Sequence, residues 1–244
     1  MDNRWENLIS EELKAKYDFF NYNHALEILV ASYPTEFNEL MTALRELTIT
    51  CEDILADGGN ETIVPKKFAA SLEPLNWKEI KISGDLVVNI YPRKGNKRGV
   101  FAKTAAEQVT VRDYIDGHNI DYVKGRVAVD MEWNSKDQTF DRDIFAFRTY
   151  YECGLISVAA IVTRSEKLNP LFKKLGVYGK YGASTTWIGK LLPRLDSRRH
   201  GGCPVLAIAI KPNIVRNANE FFENHEAANE EVEEQYDNDN ADDA

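Results

Sequence analysis

Two acidic residues, Asp130 and Glu132, stand one residue apart in the run Arg126-Val-Ala-Val-Asp-Met-Glu-Trp133. This run is rich in β-branched and apolar residues, so it predicts a strand, and side chains two apart on a strand point to the same face. Two like charges placed together next to a core cost stability unless a cation compensates them. Asp121 precedes Asp130 by nine residues, across the turn-like Lys124-Gly125, which can bring its carboxylate beside the pair.

Clustered carboxylates suit Mg²⁺, which binds one or two of them and completes its shell with water and substrate oxygens. Such an ion neutralises a phosphate, activates water and stabilises the leaving oxygen in phosphodiester hydrolysis. Two acids with this spacing are more commonly the solvated face of an edge strand, so spacing alone does not establish a metal site. The apolar residues that alternate with the two acids favour a buried strand instead.

Helices and strands alternate along the chain around this run. Helical periodicity over 24–48 is interrupted by Pro34 and predicts two helices or one kinked helix. The remaining expected elements are a strand at 86–91, a helix at 143–153 ending at Gly154, buried strands at 155–162 and 204–210, and helices at 168–175 and 184–196, the last with Ser184 as a cap. This alternation predicts an α/β fold, with a central mixed β-sheet flanked by helices.

The chain of 244 residues can bury one sizeable core. We expect a single domain over residues 1–216, with a helical part at 1–56 and the sheet core at about 83–210. Residues 217–244 are acidic, rich in Asn and poor in apolar residues, so they predict a disordered tail.

The net charge of −9 is distributed unevenly. The tail holds 11 of the 39 acidic residues and no Lys or Arg, which leaves 28 acids against all 30 bases in residues 1–216. Within 164–216, 11 basic residues face two acidic ones. Such a stretch is either a solvated face or a surface for a polyanion such as a nucleic acid.

Several classes of protein are disfavoured by composition. No window approaches the roughly 20 apolar residues of a membrane span, and the start MDNRWENLIS has no secretion-signal pattern. The three cysteines are far apart and form no CxxC pair, which argues against a disulfide framework or zinc ribbon. We expect a cytoplasmic protein.

The stretch Ile120-Asp-Tyr-Val-Lys-Gly-Arg-Val-Ala-Val-Asp-Met-Glu-Trp133 resembles the active-site segment of type II restriction endonucleases of the BglII/BstYI family. The similarity continues through the blocks Tyr22–Leu29, Phe140–Arg148, Ile161–Arg164 and Gly202–Ala209. It covers about residues 20–210 and implies a restriction-endonuclease-like core of the PD-(D/E)xK type.

By this resemblance, Asp121 and Asp130 are metal ligands, and Mg²⁺ is the cofactor. Glu132 stands where many of these nucleases have Lys and the nearest relatives have Gln, so it could be a third ligand or the group that deprotonates water. Asp130 also differs from the family, which has the longer Glu there. Glu at the position of Glu132 occurs in a related restriction enzyme, so the change is compatible with catalysis.

The resemblance also implies two segments that read DNA: Asn134-Ser135-Lys136, and Tyr181 to Thr186 at the start of a helix. The second segment contributes Tyr181, Ser184, Thr185 and Thr186, with an ordinary helix cap as the alternative role for Ser184. Basic residues expected at phosphates are Lys180, Lys190, Arg194, Arg198 and Arg199. For His24 we expect a place at a helix start, and for His200 and Cys203 no zinc site.

These features together predict a homodimeric enzyme that cuts double-stranded DNA at a short palindrome, with a central GATC as the first target to consider. A cognate DNA methyltransferase would protect the host genome. Two alternatives share the core: a structure-directed repair nuclease or resolvase, and a non-catalytic sequence-specific DNA-binding protein. A third, an unrelated metal-dependent hydrolase, leaves the basic stretch unexplained.

Overall fold

A computed structural model of the chain describes residues 4–56, 62–96 and 98–224. Its strands are β1 (Tyr17–Tyr22), β2 (Lys78–Ile80), β3 (Ser83–Ile90), β4 (Glu107–Asp116), β5 (Ile120–Lys124), β6 (Val127–Glu132), β7 (Val158–Arg164) and β8 (Val205–Ile210). Its helices are α1 (Glu11–Lys16), α2 (Ala25–Ser32), α3 (Pro34–Glu46), α4 (Cys51–Leu55), α5 (Ile63–Leu72), α6 (Thr139–Glu152), α7 (Asn169–Lys174) and α8 (Ile188–Asp196). Short 3-10 turns lie at Arg4–Leu8, Glu73–Leu75, Glu166–Leu168 and Pro212–Ile214.

Six of these strands form one mixed sheet in the order β1-β8-β7-β6-β5-β2. The central strands β6, β7 and β8 are parallel to one another, whereas β1, β5 and β2 each run antiparallel to the neighbour they join. Every residue of the three parallel strands is buried. Continuous apolar runs are what a strand covered on both faces requires, and this explains the sequence of β7 and β8.

Helices cover both faces of the sheet. On one face, alternate β6 residues Val127 and Val129 pack in a core with the N-terminal helices α2, α3 and α5. On the other face, Ala128 packs in a second core with residues of α6 and α8. The predicted α/β architecture with a mixed sheet and flanking helices is therefore confirmed.

The expected interruption at Pro34 is also confirmed. Helix α2 ends at Ser32 and α3 begins with Pro34, the first-turn position where a missing N–H costs nothing. The helix that follows β6 is longer than predicted, since α6 begins at Thr139. It ends at Glu152, two residues before Gly154, whose φ of 71° is the left-handed conformation of a helix stop.

β2, β4 and β5 are not among the expected strands, and β1 and β3 differ from the sequence expectations in position or pairing. β1 lies in the part expected to be helical and adds an edge strand by pairing with β8. β3, predicted as a strand, pairs only with β4 in a separate two-stranded hairpin and does not join the central sheet. Alternation of apolar residues indicates a strand but does not say which strand is its neighbour, so the sequence could not place β3.

The structure corrects the expectations for the last helix of the sheet core and for the start of the tail. Helix α8 begins at Ile188 with Trp187 as its N-cap, so Ser184 is not a helix cap. Residues 218–224, expected to be disordered, are helical, and Phe221 packs against the first core. The tail beyond residue 224 lies outside the described residues. In the described part of the chain, no helix combines the length and apolar character that crossing a membrane requires.

Candidate active site

Asp121 and Asp130 meet across the antiparallel pair of β5 and β6. The register places Tyr122 opposite Val129, so the next residues along, Asp121 and Asp130, come together at the end of the ladder. The amide of Asp121 donates to Oδ1 of Asp130 at 2.8 Å, and the amide of Met131 donates to Oδ2 of Asp121 at 3.3 Å. The turn at Gly125, with a φ of 55°, makes this return possible.

Asp130 and Glu132 are both buried, at 3% and 7% exposure. Oδ2 of Asp130 and Oε2 of Glu132 have no hydrogen-bond partner among the described residues. Burial, with the nearby charges of Asp121 and Glu132, holds the pKa of Asp130 well above its ordinary value. Burial likewise raises the pKa of Glu132 to about 7, against a hydrogen bond from Ser135 that lowers it. The charge of Arg142 lowers the pKa of Glu132 without cancelling the effect of burial, so a bound cation would stabilise the cluster further.

Asp143 is a fourth acid in this cluster that the sequence reasoning missed. It lies on α6, is 4% exposed, and its Oδ2 has no partner among the described residues. Burial is the main cause that raises its pKa, and the charges of Asp130, Glu132 and Asp121 add to it. The signal available in the sequence was its helical phase, since Asp143 precedes the core residue Ile144 and follows Phe140 by three positions.

Asp121 and Glu132 line a cleft of about 470 Å³ together with residues of α5 and the segment after β6. Within the described residues, no group of three or more His, Cys, Asp or Glu side chains is placed to hold a metal ion by itself. Mg²⁺ usually takes one or two carboxylates and leaves its other positions to water and phosphate. The unpartnered oxygens of Asp130 and Glu132 fit that requirement.

The two segments expected to read DNA are adjacent in the structure. Lys136 and Thr185 form an antiparallel bridge. The amide of Thr186 donates to the Ser135 carbonyl at 2.8 Å, and the amide of Asp137 donates to the Ser184 carbonyl at 3.0 Å. The segment that follows β6 is therefore joined by backbone hydrogen bonds to the segment that precedes α8.

Within these segments, the exposed polar side chains are Ser135, Lys136 and Ser184, while Asn134 is half-buried. Two expected DNA contacts are instead buried. Tyr181 is 2% exposed and its hydroxyl donates to the Ile54 carbonyl at 3.0 Å, and Thr186 is fully buried. These two side chains contribute to the core, so only their backbones could approach a ligand.

The expected phosphate-binding residues divide into engaged and exposed groups. Arg194 forms two hydrogen bonds of 3.0 Å with the carboxylate of Asp141, and Arg199 contacts the same carboxylate at 2.6 Å. Lys180 donates to the carbonyls of Ile54 and Ala56. Lys190 is half-buried and lies 3.9 Å from Asp137. Arg198 is exposed.

Arg164 is a buried cation that the sequence reasoning did not single out. It is 1% exposed at the end of β7, and its guanidinium donates to the Tyr181 carbonyl at 3.0 Å and to the Thr185 hydroxyl. The rings of Phe172 and Tyr181 pack against it at 5.7 and 5.5 Å. Arg164 thus ties the 181–186 segment to the sheet.

His24 and His200 take structural positions. His24 stands at the N-cap position of α2 with a φ of 59°, but its side chain makes no capping hydrogen bond and contacts Glu27 at 3.2 Å. His200 is buried, and its Nδ1 lies 2.6 Å from the Cys203 carbonyl oxygen.

The fold and this site define the class of protein. A mixed α/β sheet that presents acidic residues from two adjoining strands is a restriction-endonuclease-like core. The family model described as "Restriction endonuclease BglII/BglIII" matches residues 17–210. The chain therefore belongs to this family, and its activity is that of a type II site-specific endonuclease that binds double-stranded DNA. A search of curated proteins gave no match.

Proposed function

We propose that the protein cuts double-stranded DNA at a short palindromic site in a Mg²⁺-dependent reaction centred on Asp121, Asp130 and Glu132. The observation that carries this proposal is the pair of buried, unpartnered oxygens, Oδ2 of Asp130 and Oε2 of Glu132. A protein keeps such costly groups where a function uses them: Oδ2 of Asp130 can bind a divalent cation, and Oε2 of Glu132 can accept a proton from water.

Each acid has a distinct part in the proposed reaction. Asp121 and Asp130 hold the metal, each with one oxygen fixed by a backbone amide. When bound, the ion supplies charge neutralisation at the scissile phosphate and at the leaving oxygen. Glu132 lines the cleft and orients the attacking water, from which its Oε2 takes a proton. The geometry at Oε2 supports this role, and a pKa of about 7 agrees with it.

Sequence reading is assigned to the exposed side chains beside the site. Ser135, Lys136 and Ser184 lie on two segments that are joined by backbone hydrogen bonds. The first of these segments begins two residues after Glu132 and ends four residues after it. Arg198 and, after release from their ion pairs, Arg194 and Arg199 would contact phosphates. Asn134, with an unpartnered buried Oδ1, completes the first segment.

A palindromic target implies two copies of the chain, one active site for each strand. We propose a homodimer, a central GATC as the first target to test, and a cognate DNA methyltransferase that protects the same site in the host. The homodimer, the GATC target and the methyltransferase are all inferred from the family resemblance.

The test is digestion of unmethylated phage DNA by the purified protein in Mg²⁺ and in EDTA. Discrete bands that require Mg²⁺ support the proposal, and sequencing of their ends gives the target and the cut position. A smear, or cleavage confined to branched substrates, would replace it with a non-specific or structure-directed nuclease. Specific retardation on a gel without any cleavage would indicate a DNA-binding protein.

A further inference from the structure

The hairpin of β3 and β4 stands apart from the sheet that carries the active site. Its strands pair only with each other, and most of its residues are exposed. A two-stranded hairpin in water has marginal stability and no core of its own. The chain nevertheless inserts it between β2 and β5, directly before the strand that carries Asp121.

The charged residues in the connection between β3 and β4 are all basic. From Leu86 to Ala106 the sequence contains five basic residues and no acidic residue: Arg93, Lys94, Lys97, Arg98 and Lys103. Asp85, the acid just before this stretch, is engaged with Arg112 at 2.5 Å. Arg93, Lys94, Arg98 and Lys103 are all exposed. The charged side chains at the end of the hairpin opposite its base are therefore all basic.

The base of the hairpin lies at the edge of the catalytic cleft. The amide of Gly117, just after β4, donates to the Ile82 carbonyl at 3.0 Å and closes the hairpin. A Cβ at Gly117 would lie 2.5 Å from that carbonyl oxygen, so the approach requires glycine. Two residues further on, Asn119 donates to Glu79 at 2.6 Å, and Glu79 and Asp121 both line the cleft.

The length of the hairpin fits a role away from the cleft. The eight residues of β3, at roughly 3.4 Å each, extend about 27 Å. The major groove of DNA is about 12 Å wide, so a hairpin that starts at the cleft edge is long enough to reach phosphates beyond the scissile one.

We propose that the β3–β4 hairpin is an arm that grips the DNA backbone, with Arg93, Lys94, Arg98 and Lys103 contacting phosphates outside the recognised bases. The inference rests on the proposed function, since it takes a duplex in the cleft as its starting point. Phosphate contacts carry no sequence information but supply affinity and salt dependence. The arm therefore adds binding strength without choosing the target.

The test is the salt dependence of binding to a fluorescent 30-base-pair duplex in EDTA, where cleavage is prevented, between 50 and 300 mM KCl. The variant R93Q/K94Q/R98Q removes three charges from the arm. The matched control R45Q/R126Q/R148Q removes three exposed or half-exposed charges that lie outside it. The single variant K103Q provides a second, milder change in the arm.

Each lost phosphate contact should reduce the slope of log K against log salt by about 0.9. At 0.1 M salt this corresponds to a loss of affinity of about 8-fold for one contact and about 500-fold for three. We expect a smaller slope for the arm variant, an intermediate one for K103Q, and the wild-type slope for the control. Discrimination between target and non-target duplexes should stay the same.

Three outcomes would overturn the inference. One is an arm variant that binds with the wild-type slope, and another is an equal loss in the control, which would reflect overall charge. The third is a changed oligomeric state in sedimentation, which would make the hairpin a contact with a second copy. Thermal melting confirms that each variant is folded. Failure of the proposed function is distinguishable, because the wild-type protein itself would then neither bind the duplex nor cut it in Mg²⁺.

Discussion

Asp121 and Asp130 hold their two strands together, because each carboxylate accepts a hydrogen bond from a backbone amide of the other strand. The amide of Asp121 donates to Oδ1 of Asp130 at 2.8 Å, while Oδ2 of Asp121 accepts from the amide of Met131 at 3.3 Å. One oxygen of each carboxylate is thus fixed by a hydrogen bond from a backbone amide of the sheet. Oδ2 of Asp130 has no partner among the described residues, so the structure separates a fixed oxygen from one that can bind a ligand.

The change Asp130→Asn tests this separation, because Asn keeps an oxygen for the Asp121 amide and removes the charge. We expect the single-turnover rate of cleavage to fall by at least about 10³-fold, equivalent to about 4 kcal/mol of lost metal-derived stabilisation. In EDTA above neutral pH, the free energy of unfolding should rise by about 1 kcal/mol or more, since a buried charge is gone. A variant that still cuts, or one that is less stable, would contradict the assignment.

The stability of the metal-free protein should depend on pH. The pKa of Glu132 is raised from 4.5 to about 7 in the folded state, so the folded protein binds more protons than the unfolded chain within that interval. The free energy of unfolding should therefore fall as pH rises from about 4.5 to about 7, by up to about 3 kcal/mol. Urea denaturation in EDTA measures this, with Glu132→Gln as a control that should show a smaller slope, because the raised pKa values of Asp130 and Asp143 still contribute. A wild-type slope of the opposite sign would contradict it.

Adding Mg²⁺ should reverse that loss. A ligand that binds only the folded state stabilises it by an amount set by its concentration and affinity, about 2.7 kcal/mol at 100 times Kd. We expect the melting temperature at pH 8 to rise with Mg²⁺ in the wild-type protein and much less in Asp130→Asn. Equal shifts in the two proteins would place the ion elsewhere.

Glu132→Gln should reduce cleavage without abolishing it, by about 100-fold, the lower end of what a positioned acid or base contributes. The amide still accepts a hydrogen bond and orients water, but it takes no proton. Single-turnover rates at saturating Mg²⁺ measure the change, with Glu132→Ala expected to be slower. If Gln and Ala were equally impaired, the proposed orienting role would be wrong.

Asp143 should act as a positioning residue through the charge it places behind the metal ligands. Asp143→Asn removes negative charge from the cluster, so the Mg²⁺ concentration for half-maximal cleavage should rise by about 3- to 10-fold, about 1 kcal/mol. The rate at saturating Mg²⁺ should change less. Glu152→Gln, at the exposed end of the same helix, is the control. An unchanged Mg²⁺ midpoint in Asp143→Asn would remove it from the site.

Arg164 and Thr185 should act as a unit in target discrimination. Thr185→Val removes the hydroxyl that accepts from Arg164, and Arg164→Met removes the donor. Each should lower the ratio of cleavage at the target over sites with one altered base pair, and the double variant should be little worse than Arg164→Met. Thr185→Ser, which keeps the hydroxyl, should leave the ratio at its wild-type value. Additive losses would indicate that Thr185 contacts DNA independently.

The fold was predictable from the sequence where residues are buried on both faces. The continuous apolar runs in β7 and β8 identified the centre of the sheet, and Pro34 identified the break between α2 and α3. β3 was identified as a strand, but its partner was not, because pairing depends on contacts far along the chain. β1 was missed since Tyr17–Tyr22 contains Asp18 and Asn21 and shows no long apolar run.

The site was predictable only in part, for a related reason. Spacing placed Asp130 and Glu132 on one strand, but it could not bring in Asp143, an acid next to Arg142 on a helix that reads as a solvated pair. Tyr181 and Thr186 resembled polar surface residues and are buried, because a polar side chain shows its burial only once its partner is known.

The bridge between Lys136 and Thr185 joins the two segments that we propose read DNA, beside the strand that carries Glu132. The first segment proposed to read bases begins two residues after the end of β6. Backbone hydrogen bonds join it to the segment before α8. A single substitution aimed at a new target would shift both segments and, with them, the strand that carries Glu132. Engineering a new specificity in this scaffold therefore calls for exchanging the two segments together, as a matched pair.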